Sequence, residues 1–317
     1  MAYAAASEED SIRLESSSGG IFSLVASYVL SQGGVVFGAA FDSDLRVVHK
    51  RIDHEEGLAE LRGSKYVQSE IGDAFKEAKV LLEQGIPVYF TGTPCQIQGL
   101  LKFLKKDYEH LLTQDIICHG VPAPYVFQKY VEYQSKAHNA KPTRILFRKK
   151  SAEAKPYLIS IAFENGECYE LAAGKDPYMK AFLRDYSLRP SCYICRFKET
   201  KRASDLTLAD FWGIEHAEPS FERMDGVSLV FVHSDKGKKV WEALRDRMKS
   251  LPTDIERAVH YNPSAIVSAK CPKRRARFIR SLSRFSFPEV VEKYCKPPLA
   301  SRIKNKIKAF IKRIIGR

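Results

Sequence analysis

PVYFTGTPC, Pro87 to Cys95, is the stretch that decides the fold class. A short run of strand-favouring residues, Pro87–Thr91, passes through a Gly-Thr-Pro turn into a helix expected from about Gln96 to Leu104. Such a run reads as a buried strand because it is too short for a helix and is bounded by turn residues. The same grammar extends to either side. Upstream, Ile21–Leu30 reads as a buried helix opened by serines and glycines, Val35–Phe41 as a strand, and Ile71–Glu83 as a helix. Downstream, Thr113–Ile117 reads as a strand ending at Cys118-His119-Gly120, and a helix follows over Tyr125–Tyr133 with Pro122 and Pro124 at its start. Arg144–Arg148, Tyr157–Glu164 and Glu167–Leu171 read as strands, the last two joined by Asn165-Gly166, a hairpin signal. Leu206–Ala209 and Val227–Val232 are further strands, and Lys236–Met248 a helix. The expected class is α/β with mixed α+β elements. One large core is expected over residues 1–250, a basic helical extension over 251–296, and a basic amphipathic helix over 297–317.

The 317 residues are 44% hydrophobic, enough for a sizeable core without disulfides or metal. The formal charge is +13, but seven of these charges (Arg302, Lys304, Lys306, Lys308, Lys312, Arg313 and Arg317) lie in an acid-free tail. Much of the remainder clusters in Lys270–Arg284. The bulk of the chain is therefore no strongly basic nucleic-acid binder, and no specific nucleic acid is expected. The tail places Ile303, Ile307, Phe310, Ile311, Ile314 and Ile315 at helical spacing opposite its cations, which suits peripheral contact with an anionic membrane. The N-terminus has no basic n-region, and no apolar run reaches bilayer length. A cytoplasmic protein, with reduced thiols and membrane association through the tail, is expected.

Among seven cysteines, Cys192 and Cys195 form a C-x-x-C pair. A redox dithiol, half of a zinc site and half of an iron–sulfur site all fit it. Cys95 and Cys118 both follow a strand, where open α/β sheets gather functional groups. They can share a crevice with the pair, or be small buried hydrophobes. Four thiolates suit zinc or a cluster, and one pair plus two isolated cysteines is unlike a zinc ribbon. Cys168, Cys271 and Cys295 read as structural. Ser16-Ser17-Ser18-Gly19-Gly20 precedes a helix, Gly63-Ser64-Lys65-Tyr66 offers a turn, a charge and a ring, and Thr91-Gly92-Thr93 offers free N–H groups. Each suits an anion or is an ordinary cap or turn. No Walker A loop or G-x-G-x-x-G fingerprint occurs.

Six motifs, SSSGGIFSLVASYVL, RGSKYVQSEIG, FTGTPCQIQGL, DIICHGVP, RPSCYICRF and SDLTLADFWGI, occur in this order. With them the chain resembles the coenzyme F420 hydrogenase/dehydrogenase beta-subunit family, over roughly Ala2 to Leu244 and again at Tyr261-Asn262-Pro263-Ser264. The resemblance implies a flavin- and iron–sulfur-dependent oxidoreductase subunit, whose relatives pass electrons between a 4Fe–4S cluster, FAD and a substrate. It implies Cys95, Cys118, Cys192 and Cys195 as cluster ligands. It implies Ser18, Gly19, Gly20, Gly63, Ser64, Lys65, Tyr66, Gln68, Thr91, Gly92 and Thr93, with Asp210 and Trp212, as the flavin site. His119 reads as a structural histidine in its turn or as a proton donor. The ferredoxin-like module that opens many relatives has no counterpart here, so a separate ferredoxin or ferredoxin-like partner is the expected donor. The acceptor is a small molecule, F420 or another. The competing readings are a zinc-stabilised interaction protein with a membrane- or nucleic-acid-binding tail, and a nucleic-acid binder using the basic regions.

Overall fold

The computed structural model describes residues 1–150, 157–221 and 226–296. The helix expected at 297–317 lies outside them. The strands are β1 (Ala2–Ser7), β2 (Val35–Phe41), β3 (Val47–Ile52), β4 (Val88–Thr91), β5 (Leu111–Ile116), β6 (Pro142–Lys149), β7 (Leu158–Phe163), β8 (Cys168–Ala172), β9 (Leu206–Asp210), β10 (Ser228–Val232) and β11 (Met248–Pro252). The helices are α1 (Asp10–Glu15), α2 (Ile21–Ser31), α3 (Leu58–Leu61), α4 (Ala74–Glu83), α5 (Pro94–Leu104), α6 (Pro124–His138), α7 (Pro177–Leu183), α8 (Ile214–Ala217), α9 (Asp235–Ala243), α10 (Ile255–His260), α11 (Arg275–Ser281) and α12 (Phe287–Tyr294).

Eight strands form the main sheet in the order β11-β1-β10-β9-β5-β4-β2-β3. The four at its centre, β9, β5, β4 and β2, are parallel, and both flanks are antiparallel. All of β4 is buried, because helices cover both faces. Tyr89, Val36 and Leu208 face α2, α3 and α9. Val88 and Phe90 face α4 and α5. The alternation is the period of two expected of a strand. A three-stranded antiparallel sheet, β6-β7-β8, packs with α6, α7, α11 and α12 around Phe127, Phe147, Tyr178 and Phe287. Within the described residues, the segment from Ala269 to Cys295 folds back onto this second core, whereas Ala258, Val259 and Ala265 pack with Ala2, Leu229 and Phe231 of the main sheet.

Three local differences from the sequence reading have plain causes. Helix α5 starts at Pro94, because Thr93 and Gln96 close a reciprocal capping box; Cys95 therefore lies in its first turn. The helix expected at Lys236–Met248 stops at Ala243 and gives way to β11, which pairs with β1. β1 itself, AYAAAS, is alanine-rich and has little intrinsic strand preference; it is held between β10 and β11. No helix among the described residues is long and apolar enough to cross a membrane.

Candidate functional site

The parallel strands deliver the first two cysteines to one edge of the sheet. Thr91 of β4 is paired with Gln114 of β5, and Ile116 of β5 with Leu208 of β9. Cys95 and Cys118 follow the carboxyl ends of β4 and β5, the crevice in which open α/β sheets place their chemistry. Cys192 lies at the middle of a short 3-10 turn, Pro190–Ile194, and Cys195 caps its end. Gly120, at φ 151°, lets that turn approach: a Cβ there would stand 3.2 Å from the Cys192 Cβ and 2.9 Å from Leu188. The Val121 N–H donates to Cys192 Sγ at 3.4 Å, and the Thr93 hydroxyl lies 3.1 Å from Cys95 Sγ.

Cys118 and Cys192 each lie within electrostatic reach of the other three thiols. Burial pushes the Cys118 thiol up to about 12; the Lys198 ammonium pulls it down, while charge on Cys192, Cys95 or Cys195 pushes it further up. Cys192 is also raised by burial, against the pull of the Val121 N–H and Arg189. Burial in turn lowers Lys198, and thiolates would restore its charge. Lys198 donates to the Cys118 carbonyl, and to the Ser264 carbonyl at 2.8 Å. His119 bridges Asp185 Oδ1 at 2.6 Å and Ser264 Oγ at 3.2 Å. It is a positioned residue of the turn that ties together three loops. Among the described residues no three of His, Cys, Asp and Glu stand close enough to share a single ion. Four thiols gathered from three segments, with the Val121 N–H on Cys192, the Thr93 hydroxyl on Cys95 and the Lys198 ammonium on the backbone carbonyl of Cys118, fit a multi-iron cluster, whose ligands stand wider apart than those of one ion.

The glycine- and serine-rich motifs also meet. The Ser17 hydroxyl accepts from the Ser64 N–H at 2.7 Å and lies 3.0 Å from the Ser64 hydroxyl. Ser18 Oγ donates to the Val227 carbonyl at 2.8 Å, and the Gly19 N–H donates to Ser228 Oγ at 3.0 Å. Gly20, at φ 87°, caps the start of α2. Gly63, at φ 82°, turns the chain toward Ser64. Asp210 ends β9 and holds Arg148 by both carboxylate oxygens, the longer contact 3.0 Å. The Arg148 guanidinium lies 4.0 Å from the Tyr157 ring centre and 5.9 Å from that of Trp212. Among the described residues its buried Nε has no hydrogen-bond partner. Burial raises the Tyr66 hydroxyl, which neighbours Arg148, Asp210 and Ser64. Lys150 donates to the Ser18 carbonyl at 2.8 Å. A buried guanidinium nitrogen with no hydrogen-bond partner among the described residues, exposed Trp212 and the Lys150 ammonium beside the α2 start fit an aromatic, anionic cofactor.

Other candidates have structural duties. Lys65 turns back to cap α3, donating to the carbonyls of Glu60, Leu61 and Arg62 at 2.8, 2.9 and 2.8 Å. Burial lowers its ammonium to about 7. Thr91 Oγ1 donates to the Phe37 carbonyl at 3.0 Å. The Gly92 N–H is taken by Gln114, and the Thr93 N–H by Gln96 Oε1. The Gln68 N–H donates to Pro122, joining this loop to the cysteine side. Sequence reasoning missed Arg148, Lys150, Lys198, Asp185 and His49. Only the Arg148–Lys150 run of cations at a strand end offered a signal.

No curated protein matches the chain. Among solved structures, the F420-reducing [NiFe] hydrogenase complex of Methanosarcina barkeri, in a xenon derivative, contains a similar chain. The TM-score is 0.55 at 17% identity, over 84% of this chain and 89% of that one; at that identity the likeness speaks for the fold. Two models of one family match, those for the N-terminal and C-terminal parts of the coenzyme F420 hydrogenase/dehydrogenase beta subunit, the first over residues 2–76 and the second over residues 87–256. The two matches lie in order and take in both strand ends with their cysteines, so the chain belongs to the coenzyme F420 hydrogenase/dehydrogenase beta-subunit family.

Proposed function

We propose that this chain is an electron-transferring oxidoreductase subunit in which Cys95, Cys118, Cys192 and Cys195 hold a 4Fe–4S cluster. The carrying observation is that four cysteines from three remote segments come together at the strand ends: the Val121 N–H beside Cys118 donates to Cys192 Sγ, a Cβ on Gly120 would stand 3.2 Å from the Cys192 Cβ, and the half-buried Cys118 thiol feels the charge of the other three. FAD is assigned to the adjoining face, formed by Ser18, Gly19, Gly20, Gly63, Ser64, Tyr66, Asp210 and Trp212, with Thr91-Gly92-Thr93 and Gln68 between the two sites and Lys65 bracing the loop. When bound, the cluster and flavin would supply one-electron storage and its exchange with two-electron chemistry. The protein's own residues do the rest. Lys198 offsets thiolate charge, and the Val121 N–H donates to a sulfur. Arg148 and Lys150 present cations where a diphosphate would lie, and Arg148 is held in place by Asp210. The substrate is a small organic acceptor, F420 or another, and the electron donor is a separate ferredoxin-type protein or subunit.

The test is the visible spectrum of anaerobically purified protein, before and after dithionite. A flavin band with a broad, bleachable shoulder near about 400 nm is expected, as thiolate-bound iron–sulfur centres show. Cys192→Ser is expected to lose the shoulder. A colourless protein that also fails to take up iron, sulfide and FAD would overturn the reading in favour of zinc or an empty site.

A further inference from the structure

The cysteine turn carries a surface that the electron-transfer reading does not by itself require. Ile194 stands between Cys192 and Cys195 and is 80% exposed. Ile266 and Val267 are 50% and 52% exposed. They lie on the segment whose Ser264 carbonyl accepts from Lys198 and whose Ser268 hydroxyl donates to the Cys195 carbonyl at 3.4 Å. Three aliphatic side chains are thus left in water beside the thiols. The charge around them has one sign. Residues 189–202 and 264–277 carry ten lysines and arginines against one acid, Glu199. Lys198, Arg202 and Arg275 are engaged inside the protein. Arg196, Lys201, Lys270, Lys273, Arg274 and Arg277 are exposed. The basic helix α11 is fixed to the turn: Arg275 donates to the Leu188 carbonyl at 2.5 and 3.1 Å, with its guanidinium 5.5 Å from the Tyr193 ring centre.

We propose that this apolar centre with a cationic rim is the docking surface for an acidic iron–sulfur electron carrier of ferredoxin type. The inference rests on the cluster reading of the four cysteines. Electron-transfer contacts are small and transient, so their strength comes from charge steering around a compact desolvated centre. Both parts are present on the cysteine turn and on the segment that Ser268 and Arg275 tie to it. A nucleic acid would use the cations but give Ile194, Ile266 and Val267 no role.

The test uses the full chain, anaerobically loaded, with a purified acidic two-cluster ferredoxin as probe, titrated at low and raised salt. Binding is expected to weaken with salt. Lys273→Glu with Arg277→Glu, and separately Ile194→Ser, are expected to weaken it by about tenfold each, in the range seen for interface charges and apolar anchors. Lys102→Glu with Lys106→Glu, the same charge change on and just beyond the far end of α5, is expected to leave it unchanged. The proposal is overturned if both surface variants bind like wild type, if the control pair weakens binding as much, or if duplex DNA displaces the ferredoxin through the same residues. The visible spectrum of each sample keeps the two readings apart. A wild type without the cluster shoulder defeats the proposed function, whereas an intact spectrum with unaltered binding in the variants defeats only the docking surface.

Discussion

His49 shows how much a single side chain on this strand-end face is committed to shape. Its ring stacks on Phe90 with centroids 5.3 Å apart. Nε2 lies 2.9 Å from the Thr91 carbonyl, and Nδ1 contacts the Ser69 hydroxyl. The neutral tautomer with its proton on Nε2 satisfies both. Burial pushes the imidazole down to about 4 from an ordinary value near 6.5. The unfolded chain therefore takes up a proton below about 6.5 while the folded chain waits until about 4. Stability falls as pH drops through that window and is flat in this contribution above and below it. The ceiling is about 3 kcal/mol, reduced because the ring is partly exposed and water screens its charge. His233, also lowered to about 4 by burial, acts in the same sense. Asp115, raised by burial to about 6, acts in the opposite sense, because its folded form takes up the proton first. His49→Gln isolates the one group: its urea stability is expected to depend less steeply on pH between 4 and 6.5 than that of wild type. Parallel curves would remove His49 as an acid-sensitive brace. The roles of His49 and Arg148 could not be read from the sequence, beyond Arg148's place in a run of cations at a strand end, because the partners that define them, Thr91 for one and Asp210 for the other, are 42 and 62 positions away. The four cysteines were visible as residues, and their position after strands left a shared site open beside a structural reading; the family likeness chose between the two, since spacing cannot say which strand ends are neighbours.

At the scale of elements, the loop between α1 and α2 depends on how closely it can lie on the sheet. A Cβ on Gly19 would meet the Ala5 carbonyl at 2.5 Å and the Ser228 nitrogen at 2.9 Å, both backbone atoms that cannot swing aside. Gly19 also bridges β1 and β10, accepting from the Ser7 N–H at 2.7 Å and donating to Ser228 Oγ. Gly19→Ala is expected to cost about 1–3 kcal/mol, as forced overpacking does, read as a lower urea midpoint at unchanged slope. An unshifted midpoint would mean the loop has room to move off the sheet. A glycine demanded by packing needs no ligand to explain it, although close backbone approach and phosphate contact are compatible. Legibility at this scale follows burial. β2 was readable to the residue and β4 nearly so, since strands covered on both faces read as continuous apolar runs. β5, expected at Thr113–Ile117, begins two residues earlier, and its buried centre is polar, with Gln114 accepting from Tyr89 and Asp115 from Thr207. β1, β3 and β11 were not readable. β1 has alanines where a lone strand would need branched side chains, β3 is a half-exposed edge strand, and β11 follows a helical pattern that stops at Ala243.

At the scale of the whole molecule, the cysteines are a long-range clasp. Cys95 and Cys195 are about a hundred positions apart, and the turn carrying Cys192 and Cys195 contains no buried residue of its own. Among the described residues its anchors are mostly single contacts: Tyr193 to the Asp185 carbonyl and beneath the Arg275 guanidinium, the Val121 N–H to Cys192, and Ser268 to the Cys195 carbonyl, with Cys192 and Tyr193 only partly buried against the second core. A segment with so little buried apolar surface opens locally at low cost unless something else holds it. A cluster bound by all four thiols would bind the closed form and not the open one, and so stabilise it by mass action. The residues after the turn include Arg196, Lys198, Lys201 and Arg202, so trypsin reports on the opening directly. Loaded protein kept free of oxygen is expected to resist cleavage between Arg196 and Arg202. Removing the iron with a chelator in air should make this the first site cut, by a rate factor on the order of ten or more, since fast-opening segments are cleaved in proportion to their open population. The cut at the far side of the molecule, in the exposed Lys105–Lys106 turn after α5, should not change, which separates a local clasp from global loosening. Equal cleavage of the two forms at residues 196–202 would mean that the turn is ordered without any help from its thiols, and the four cysteines would lose their claim to a shared ligand.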